Sequence, residues 1–260
     1  MNIRRKLVLA LGAGPLIAPF ASFAQQAAKV YRIGFLGSGS ASIYAGRIAA
    51  LRTRLREFGY AEDKNIIIVL RYADGKYERL PGLAAEIIAL NPDVILAAAT
   101  PAILAAQRAT KTIPIVMSPV TDPVGSGFVA NLAQPGGNIT GVSIMSVDIT
   151  AKSLELLHSV VPKAGRIAVL MSNNPSHPAQ FKEVQKAAKV LALTVVSFNV
   201  TDPSQFESTA SFVSKSKCEA LLVLNDPMLI SLRQQIAEFA AKARLPAIYQ
   251  TDLHVEAGGL

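Results

Sequence analysis

Short apolar runs alternate with amphipathic segments along most of this chain of 260 residues, and that alternation limits the fold more than any other feature. Apolar runs of about four to eight residues bounded by turns are typical of buried strands, and the longer segments between them repeat apolar residues with a helical period. Strands that alternate with helices in this way predict a parallel sheet with helices on both faces. Apolar residues make up 51% of the chain, which is enough for a sizeable core.

The alternation runs twice along the sequence and breaks once, between residues 140 and 148. The predicted strands are 30–36, 66–70, 94–98, 113–117, 139–144, 167–171, 194–198, 220–224 and 247–249. The predicted helices are 44–58, 77–90, 101–109, a short one at 123–132, 150–160, 178–191, 203–214 and 227–243. Two successive runs predict two Rossmann-like lobes with parallel sheets and a hinge, an N-terminal α/β lobe at 25–143 and a C-terminal α/β lobe at 144–260. Because no closing helix is predicted after the last strand, we expect the C-terminal lobe to be incomplete and the chain to be truncated there.

The first 24 residues have the pattern of an export signal. A basic head, Arg4-Arg5-Lys6, is followed by an apolar stretch at 7–18 and by small residues up to Ala24. This order predicts a secretory signal peptide at 1–24 that is cleaved after Ala24. The apolar stretch is short for a membrane span and Pro15 interrupts it, so we expect export rather than anchoring.

The composition excludes several classes of function. The net charge is +8, but three of the positive charges lie in the predicted signal peptide and the others are scattered over predicted helix surfaces. A nucleic-acid-binding protein is expected to carry a dense basic stripe, so we expect no nucleic-acid partner. The single cysteine, Cys218, excludes a disulfide within the chain and a metal site built from several cysteines.

No group of residues forms a known catalytic or cofactor-binding pattern. The chain has three histidines, no His-x-x-x-His spacing for zinc and no Gly-x-Ser-x-Gly elbow. Of the histidines, His177 is expected to be a surface residue at the start of a helix. The Gly37-x-Gly39 pair follows a strand, but Ser42 stands where the dinucleotide fingerprint needs its third glycine. We therefore expect no catalytic residue, no metal and no cofactor.

Neutral polar residues fill the loops that follow the predicted strands. In an open parallel sheet, ligands bind beyond the carboxyl ends of the strands, and these loops hold two acids and no lysine or arginine. Hydroxyls and helix N-termini suit a carboxylate, and an aspartate suits an ammonium group, so the loops describe a site for an amino acid. A second interpretation stays open, because Asp122-Pro123 and Asp226-Pro227 are also favourable N-cap pairs, and Asp202-Pro203 repeats the pair at the opposite end of its sheet.

Several stretches of the sequence resemble one bacterial family. They are Arg32-Ile-Gly-Phe-Leu, Asn91-Pro-Asp-Val-Ile, Ile113-Pro-Ile-Val-Met, Asp122-Pro-Val-Gly-Ser-Gly, Gln134-Pro-Gly-Gly-Asn-Ile-Thr-Gly-Val and Val255-Glu-Ala-Gly-Gly-Leu. Through them, residues 30–260 are similar to the ABC transporter substrate-binding proteins that include tryptophan- and tyrosine-type uptake receptors. The resemblance implies a type I periplasmic-binding-protein fold with a ligand in the cleft between two lobes.

The resemblance also implies a function and a site. The chain is expected to be a periplasmic solute-binding receptor that passes a small polar ligand, an amino acid or a related carboxylate, to the membrane permease of an ABC transporter, and to be a monomer when complete. Carried over onto the loops described above, the resemblance implies ligand binding by Ser38, Ser40, Thr100, Ser118, Asp122, Ser143, Asn173, Asn174 and Asp226. Two alternatives stay open: an exported ligand sensor that feeds a membrane kinase, and an exported α/β enzyme.

Overall fold

A computed structural model describes residues 29–62, 64–144 and 146–259. The predicted signal peptide at 1–24, with its cleavage after Ala24, lies outside the described residues. Tyr31–Leu260 form one compact unit. Within the described part of the chain, no helix combines the length and the apolar character needed to cross a membrane.

The first sheet lies within residues 31–144 and contains five parallel strands. These are β1 (Tyr31–Gly37), β2 (Ile66–Tyr72), β3 (Val94–Ala98), β4 (Ile115–Thr121) and β5 (Ile139–Ile144). Their order in the sheet is β2-β1-β3-β4-β5, and every neighbouring pair is parallel. The connecting helices are α1 (Ala41–Glu57), α2 (Leu80–Ala89) and α3 (Thr100–Ala109). The apolar runs predicted as strands are confirmed, because parallel strands covered by helices are apolar on both faces.

The second sheet repeats this arrangement with four parallel strands in the order β7-β6-β8-β9. The strands are β6 (Arg166–Ser172), β7 (Thr194–Val200), β8 (Ala220–Val223) and β9 (Ala247–Ile248). The helices are α4 (Ser146–Val160), α5 (His177–Val190), α6 (Phe206–Lys215), α7 (Pro227–Ser231), α8 (Arg233–Ala243) and α9 (Asp252–Glu256). The two parallel sheets confirm the predicted fold class, and we call the parts around them the N-terminal and C-terminal lobes. The predicted boundary between residues 143 and 144 stays a prediction.

Three details of the predicted elements are wrong. Residues 123–132 form turns instead of a short helix, because Asp122 and Gly127 both have positive φ angles, of 44° and 69°, which an α-helix does not contain. The predicted helix at 227–243 divides at Leu232, whose ψ of 5° is not helical. A short helix, α9, follows the last strand, where no closing helix was expected.

A single hydrophobic core spans the two lobes. Met228 and Leu229, at the start of α7, are fully buried in the same cluster as Ala73 and Tyr77, which follow β2. The backbone of Gly75 lies close to Met228 as well, since a Cβ added at Gly75 would meet the Met228 side chain at 3.0 Å. The first turn of α7 therefore packs directly against the loop after β2 of the other lobe.

The Pro-Gly-Gly-Asn-Ile-Thr-Gly segment leads the chain into β5 along the edge of the first sheet. Asn138 donates from Nδ2 to the carbonyl of Ile113 at 2.7 Å, which fixes the start of β5 against the chain before β4. Gly141 has a φ of 144°, and a Cβ added there would overlap the backbone of Met117 in β4. The last glycine of the segment is thus required by close approach of two backbones.

Candidate functional site

Residues of both lobes line two neighbouring cavities that share Thr100 and Thr121. The cavity that extends to α1 measures about 70 Å³; α1, the start of α3 and β4 form its N-terminal wall, and the loops after β6 and β8 form its C-terminal wall together with α7 and α9. The lining residues are Ile43, Tyr44, Arg47, Ala99, Thr100, Ser118, Pro119, Thr121, Ile144, Asn174, Asn225, Pro227, Ile230 and Leu253. This is the edge at which ligands bind in open parallel sheets.

The first helix contributes an aromatic and a basic side chain to the cavity. Tyr44 and Arg47 lie three residues apart on α1 and therefore share a face, and the Arg47 guanidinium carbon lies 5.8 Å from the centre of the Tyr44 ring. Burial raises the pKa of Tyr44 to about 12, so its hydroxyl stays protonated. That hydroxyl accepts the N–H of Gly39 at 3.4 Å, and no acceptor for its own hydrogen lies among the described residues.

The N-terminal wall of the cavity carries three hydroxyl groups and a strained residue. Thr100 is buried at the first position of α3, while Ser118 and Thr121 lie three residues apart in β4. Ala99, directly before α3, has φ 70° and ψ 159°, a region that is almost restricted to glycine. Holding a residue there costs about 1–3 kcal/mol, and such strain is found mainly at binding and catalytic sites.

Next to the C-terminal wall, but not on it, lies a buried carboxylate with four hydrogen-bond partners. Asp226 Oδ1 accepts the N–H groups of Met228 at 2.9 Å and Leu229 at 3.1 Å, so the residue caps α7. Its Oδ2 accepts the Tyr77 hydroxyl at 2.6 Å and the Asn174 amide at 2.9 Å. A carboxylate offers about four acceptor positions. The carboxylate is therefore saturated by protein groups.

The bond between Tyr77 and Asp226 joins the two lobes beside the cavity. The pKa of the Tyr77 hydroxyl is raised well above its ordinary value, mainly by burial and next by the negative charge of Asp226. Tyr77 consequently remains a hydrogen-bond donor at neutral pH. A second, longer bond of 3.4 Å runs from the hydroxyl of Ser231 in α7 to that of Ser40. The described arrangement is thus one in which the lobes are held together.

His177 supports the loop after β6 and is not the surface residue that was predicted. The side chain is fully buried, and its Nδ1 accepts the N–H of Ser172 at 2.8 Å. Asn174 receives a second constraint, since its N–H donates to the Ser172 hydroxyl at 3.1 Å. His177 is buried because its ring nitrogen is the acceptor for the N–H of Ser172, for which the backbone of the turn between β6 and α5 supplies no partner.

Three of the predicted ligand-binding residues, Thr100, Ser118 and Asn174, line the cavity. The structure does not place the other predicted residues on its wall; they are Ser38, Ser40, Asp122, Ser143, Asn173 and Asp226. Ser38 is fully buried, and its hydroxyl donates to the carbonyl of Ala98 at 3.0 Å and accepts the N–H of Ala102 at 3.1 Å. The hydroxyl of Ser40 lies 2.9 Å from that of Ser42.

Asp122, Ser143 and Asn173 are exposed. Asp122 accepts the N–H of Gly125 at 2.8 Å, which is a contact within a turn and not the helix cap of the second interpretation, because residues 123–132 form no helix. Ligand contacts by the residues away from the wall stay predictions. No three histidine, cysteine, aspartate or glutamate side chains are grouped to hold a metal ion in the part of the chain that the structure describes.

Several cavity residues were not among the predicted ones. Tyr44 and Arg47 lie within a helix, and the rule that ligands bind at the carboxyl ends of strands does not point to residues inside a helix. Asn225 and Thr121 directly adjoin predicted residues in the sequence. Ile230 and Leu253 carry no polar signal in the sequence, and only the packing of α7 and α9 brings them to the cavity.

Similarity to known proteins agrees with this geometry. The sequence profile of the ABC transporter substrate binding protein family matches residues 25–260. A tyrosine-binding protein of Clostridioides difficile is 31% identical over 208 residues, which are 79% of this chain. The chain spans 59% of the length of that relative.

Two solved structures share the fold but superpose on this chain with different TM-scores. The ABC domain from Streptococcus pneumonia, in complex with L-Trp, is 27% identical and superposes with a TM-score of 0.79 over 89% of this chain and 78% of that one. A substrate binding protein with adhesive properties from Clostridium difficile, in its ligand-free, open structure, is 28% identical over the same shares and has a TM-score of 0.55. With a family match over nearly the whole chain and two parallel sheets of the type I periplasmic-binding kind, the chain belongs to the family of ABC transporter substrate-binding proteins.

Proposed function

We propose that the chain is the exported, periplasmic solute-binding receptor of an ABC-type uptake transporter. It takes an amino acid or a related carboxylate into the cleft between its lobes and delivers it to a membrane permease. The chain binds its ligand and does not transform it. The predicted signal peptide at 1–24 supports the location.

The observation that carries this proposal is the cavity between the lobes. Hydroxyl and amide groups from both sheets face it, and neither lobe alone can surround a small molecule there. The strained backbone of Ala99 at the same place is consistent with a binding site. Hinge closure around a ligand is the motion by which two-lobed binding proteins work.

The relatives support the same function. One is named for binding tyrosine and another was solved with L-Trp. The TM-score is higher for the structure with L-Trp, 0.79, than for the ligand-free, open structure, 0.55. The arrangement of the lobes described here is therefore nearer to that of the relative with a bound amino acid.

A thermal-shift screen of amino acids and small carboxylates tests the proposal. A ligand that binds only the folded protein stabilises it by about 2.7 kcal/mol at a concentration of a hundred times Kd. For a chain of this size we expect the melting temperature to rise by about 5–10 °C. A full set of such compounds without any shift, and without heat in calorimetric titration, would contradict the proposal.

A matched pair of serines locates the binding site. Ser118 lines the cavity on β4, whereas Ser143 is exposed on the neighbouring strand and lies away from the wall. Loss of one neutral hydrogen bond costs about 0.5–1.5 kcal/mol, so we expect Ser118→Ala to weaken binding of the best ligand about two- to tenfold. Ser143→Ala should bind like the unmodified protein. The reverse order of effects would place the site elsewhere.

A further inference from the structure

Among the residues that the structure describes, the wall of the cavity carries one positive charge and no negative charge. Arg47 is the one described lining residue that is charged at neutral pH. Neither of the two acids predicted to bind a ligand lines this cavity, although Asp122 lines the neighbouring one. Asp226 is fully buried with four protein donors on its carboxylate, and Asp122 is exposed and accepts the N–H of Gly125.

Arg47 also differs from its neighbours on the same helix. No acid among the described residues forms an ion pair with it. Arg52 and Arg54, one and two turns further along α1, pair with Glu62 and Glu57. A guanidinium group binds a carboxylate with two parallel hydrogen bonds where one is available. Arg47 is therefore free to take an anion from solution at the mouth of the cavity.

Neutral donors complete a carboxylate site next to this charge. The Tyr44 hydroxyl keeps its hydrogen because burial raises its pKa to about 12, and it has no acceptor among the described residues. The hydroxyls of Thr100, Ser118 and Thr121 face the same cavity, and the structure gives none of the three a hydrogen-bond partner within its described part. These groups satisfy an oxygen atom as donors without adding charge.

The described cavity wall offers an ammonium group no negatively charged partner. A charge that becomes buried is costly unless it is paired, and the wall offers an ammonium group only neutral oxygen atoms. The positive charge of Arg47 would repel it as well. The site therefore distinguishes a carboxylic acid from the zwitterionic amino acid with the same skeleton.

We infer that the ligand is a carboxylic acid without an ammonium group, held by Arg47 through its carboxylate. The inference rests on the proposed function, because it names the ligand of the same cleft. It separates this chain from the relatives that are named for tyrosine or were solved with L-Trp. Selectivity would come from the absence of a free acid at the cavity wall.

Calorimetric titration with pairs of compounds that differ only in the ammonium group tests this inference. The pairs are 3-phenylpropionate with L-phenylalanine, 3-(4-hydroxyphenyl)propionate with L-tyrosine, 4-methylpentanoate with L-leucine and propionate with L-alanine. For at least one pair we expect the acid to bind tenfold or more tightly than the amino acid. Its affinity should also fall as the salt concentration rises, because Arg47 is exposed.

Two arginine variants of α1 identify the charge that is responsible. Arg47→Met should weaken binding of the acid tenfold or more. Arg56→Met is the matched control, because Arg56 is exposed on the same helix, forms no ion pair with any described acid and is not among the residues that line the cavity. We expect this control to leave the affinity unchanged.

The possible failures are distinguishable. Amino acids that bind as tightly as their acid partners, or an acid that binds Arg47→Met as tightly as the unmodified protein, would overturn the inference and leave the proposed function standing. No binding of any compound in the screen would contradict the proposed function itself.

Discussion

Replacing Asp226 with alanine should lower the free energy of unfolding by about 3 kcal/mol, because the variant leaves several buried donors without an acceptor. Asp226 caps α7 and also accepts bonds from Tyr77 and Asn174. At about 2–4 °C for each kcal/mol in a chain of this size, the melting temperature should fall by about 6–12 °C.

Asp202→Ala is the matched control for this prediction. Asp202 follows β7 at the same edge of the sheet as Asp226, and not at the opposite end that was expected, because β6, β7 and β8 are parallel. It precedes a proline and caps the N–H of Ser204 at 2.9 Å, as Asp226 caps α7, but it is only partly buried and forms no hydrogen bond to the other lobe among the described residues. We expect a much smaller fall in melting temperature, since solvent replaces the lost cap. Equal falls for the two variants would show that Asp226 is only a cap. A tenfold loss of ligand affinity without a fall in melting temperature would instead support the predicted ammonium contact.

Tyr77→Phe separates the interlobe bond from the cap. The variant keeps the buried ring and leaves both capping bonds from the backbone of α7 to Asp226 in place. It removes only the hydroxyl, which donates to Asp226 at 2.6 Å. A hydrogen bond to a charged group contributes about 1.5–3 kcal/mol, so we expect a smaller loss of stability than in Asp226→Ala. We also expect a larger radius of gyration by X-ray scattering, because the lobes lose one of the bonds that hold them together.

Gly141→Ala is expected to have a comparably large effect, about 3 kcal/mol of unfolding free energy. The added Cβ would overlap the backbone of Met117, and the φ of 144° is one that L-residues rarely adopt. Gly137→Ala is the control in the same segment, because a Cβ there meets no atom within 4 Å. Urea unfolding should show a lower midpoint for Gly141→Ala alone. The same midpoint for both variants would contradict the close approach of β4 and β5.

The alternation of apolar runs with helical segments was sufficient to predict the two parallel sheets. Strand runs such as 167–171 and 220–224 are buried along their length, so local composition identifies them without knowledge of their neighbours. The helix expected at 123–132 does not form, because the backbone of Asp122 and of Gly127 adopts a positive φ, and composition alone does not reveal this.

The candidate site was predicted only in part, because its geometry depends on contacts between distant residues. The rule that ligands bind at the carboxyl ends of strands found Thr100, Ser118 and Asn174. It did not find Arg47, since the direction of a side chain within α1 follows from how that helix packs. Nor does any local pattern reveal that Asp226 bonds to Tyr77, which is 149 residues away.

Hydrogen–deuterium exchange with and without the compound that raises the melting temperature most is the most direct test of a ligand held between the lobes. We expect slower exchange in both walls of the cleft, at 99–103 and 118–121 in the N-terminal lobe and at 173–176 and 225–231 in the C-terminal lobe. Exchange at 190–194, where the chain enters β7 at the opposite edge of the C-terminal lobe's sheet, should not change. Protection confined to one lobe, or found only outside these segments, would contradict binding in the cleft.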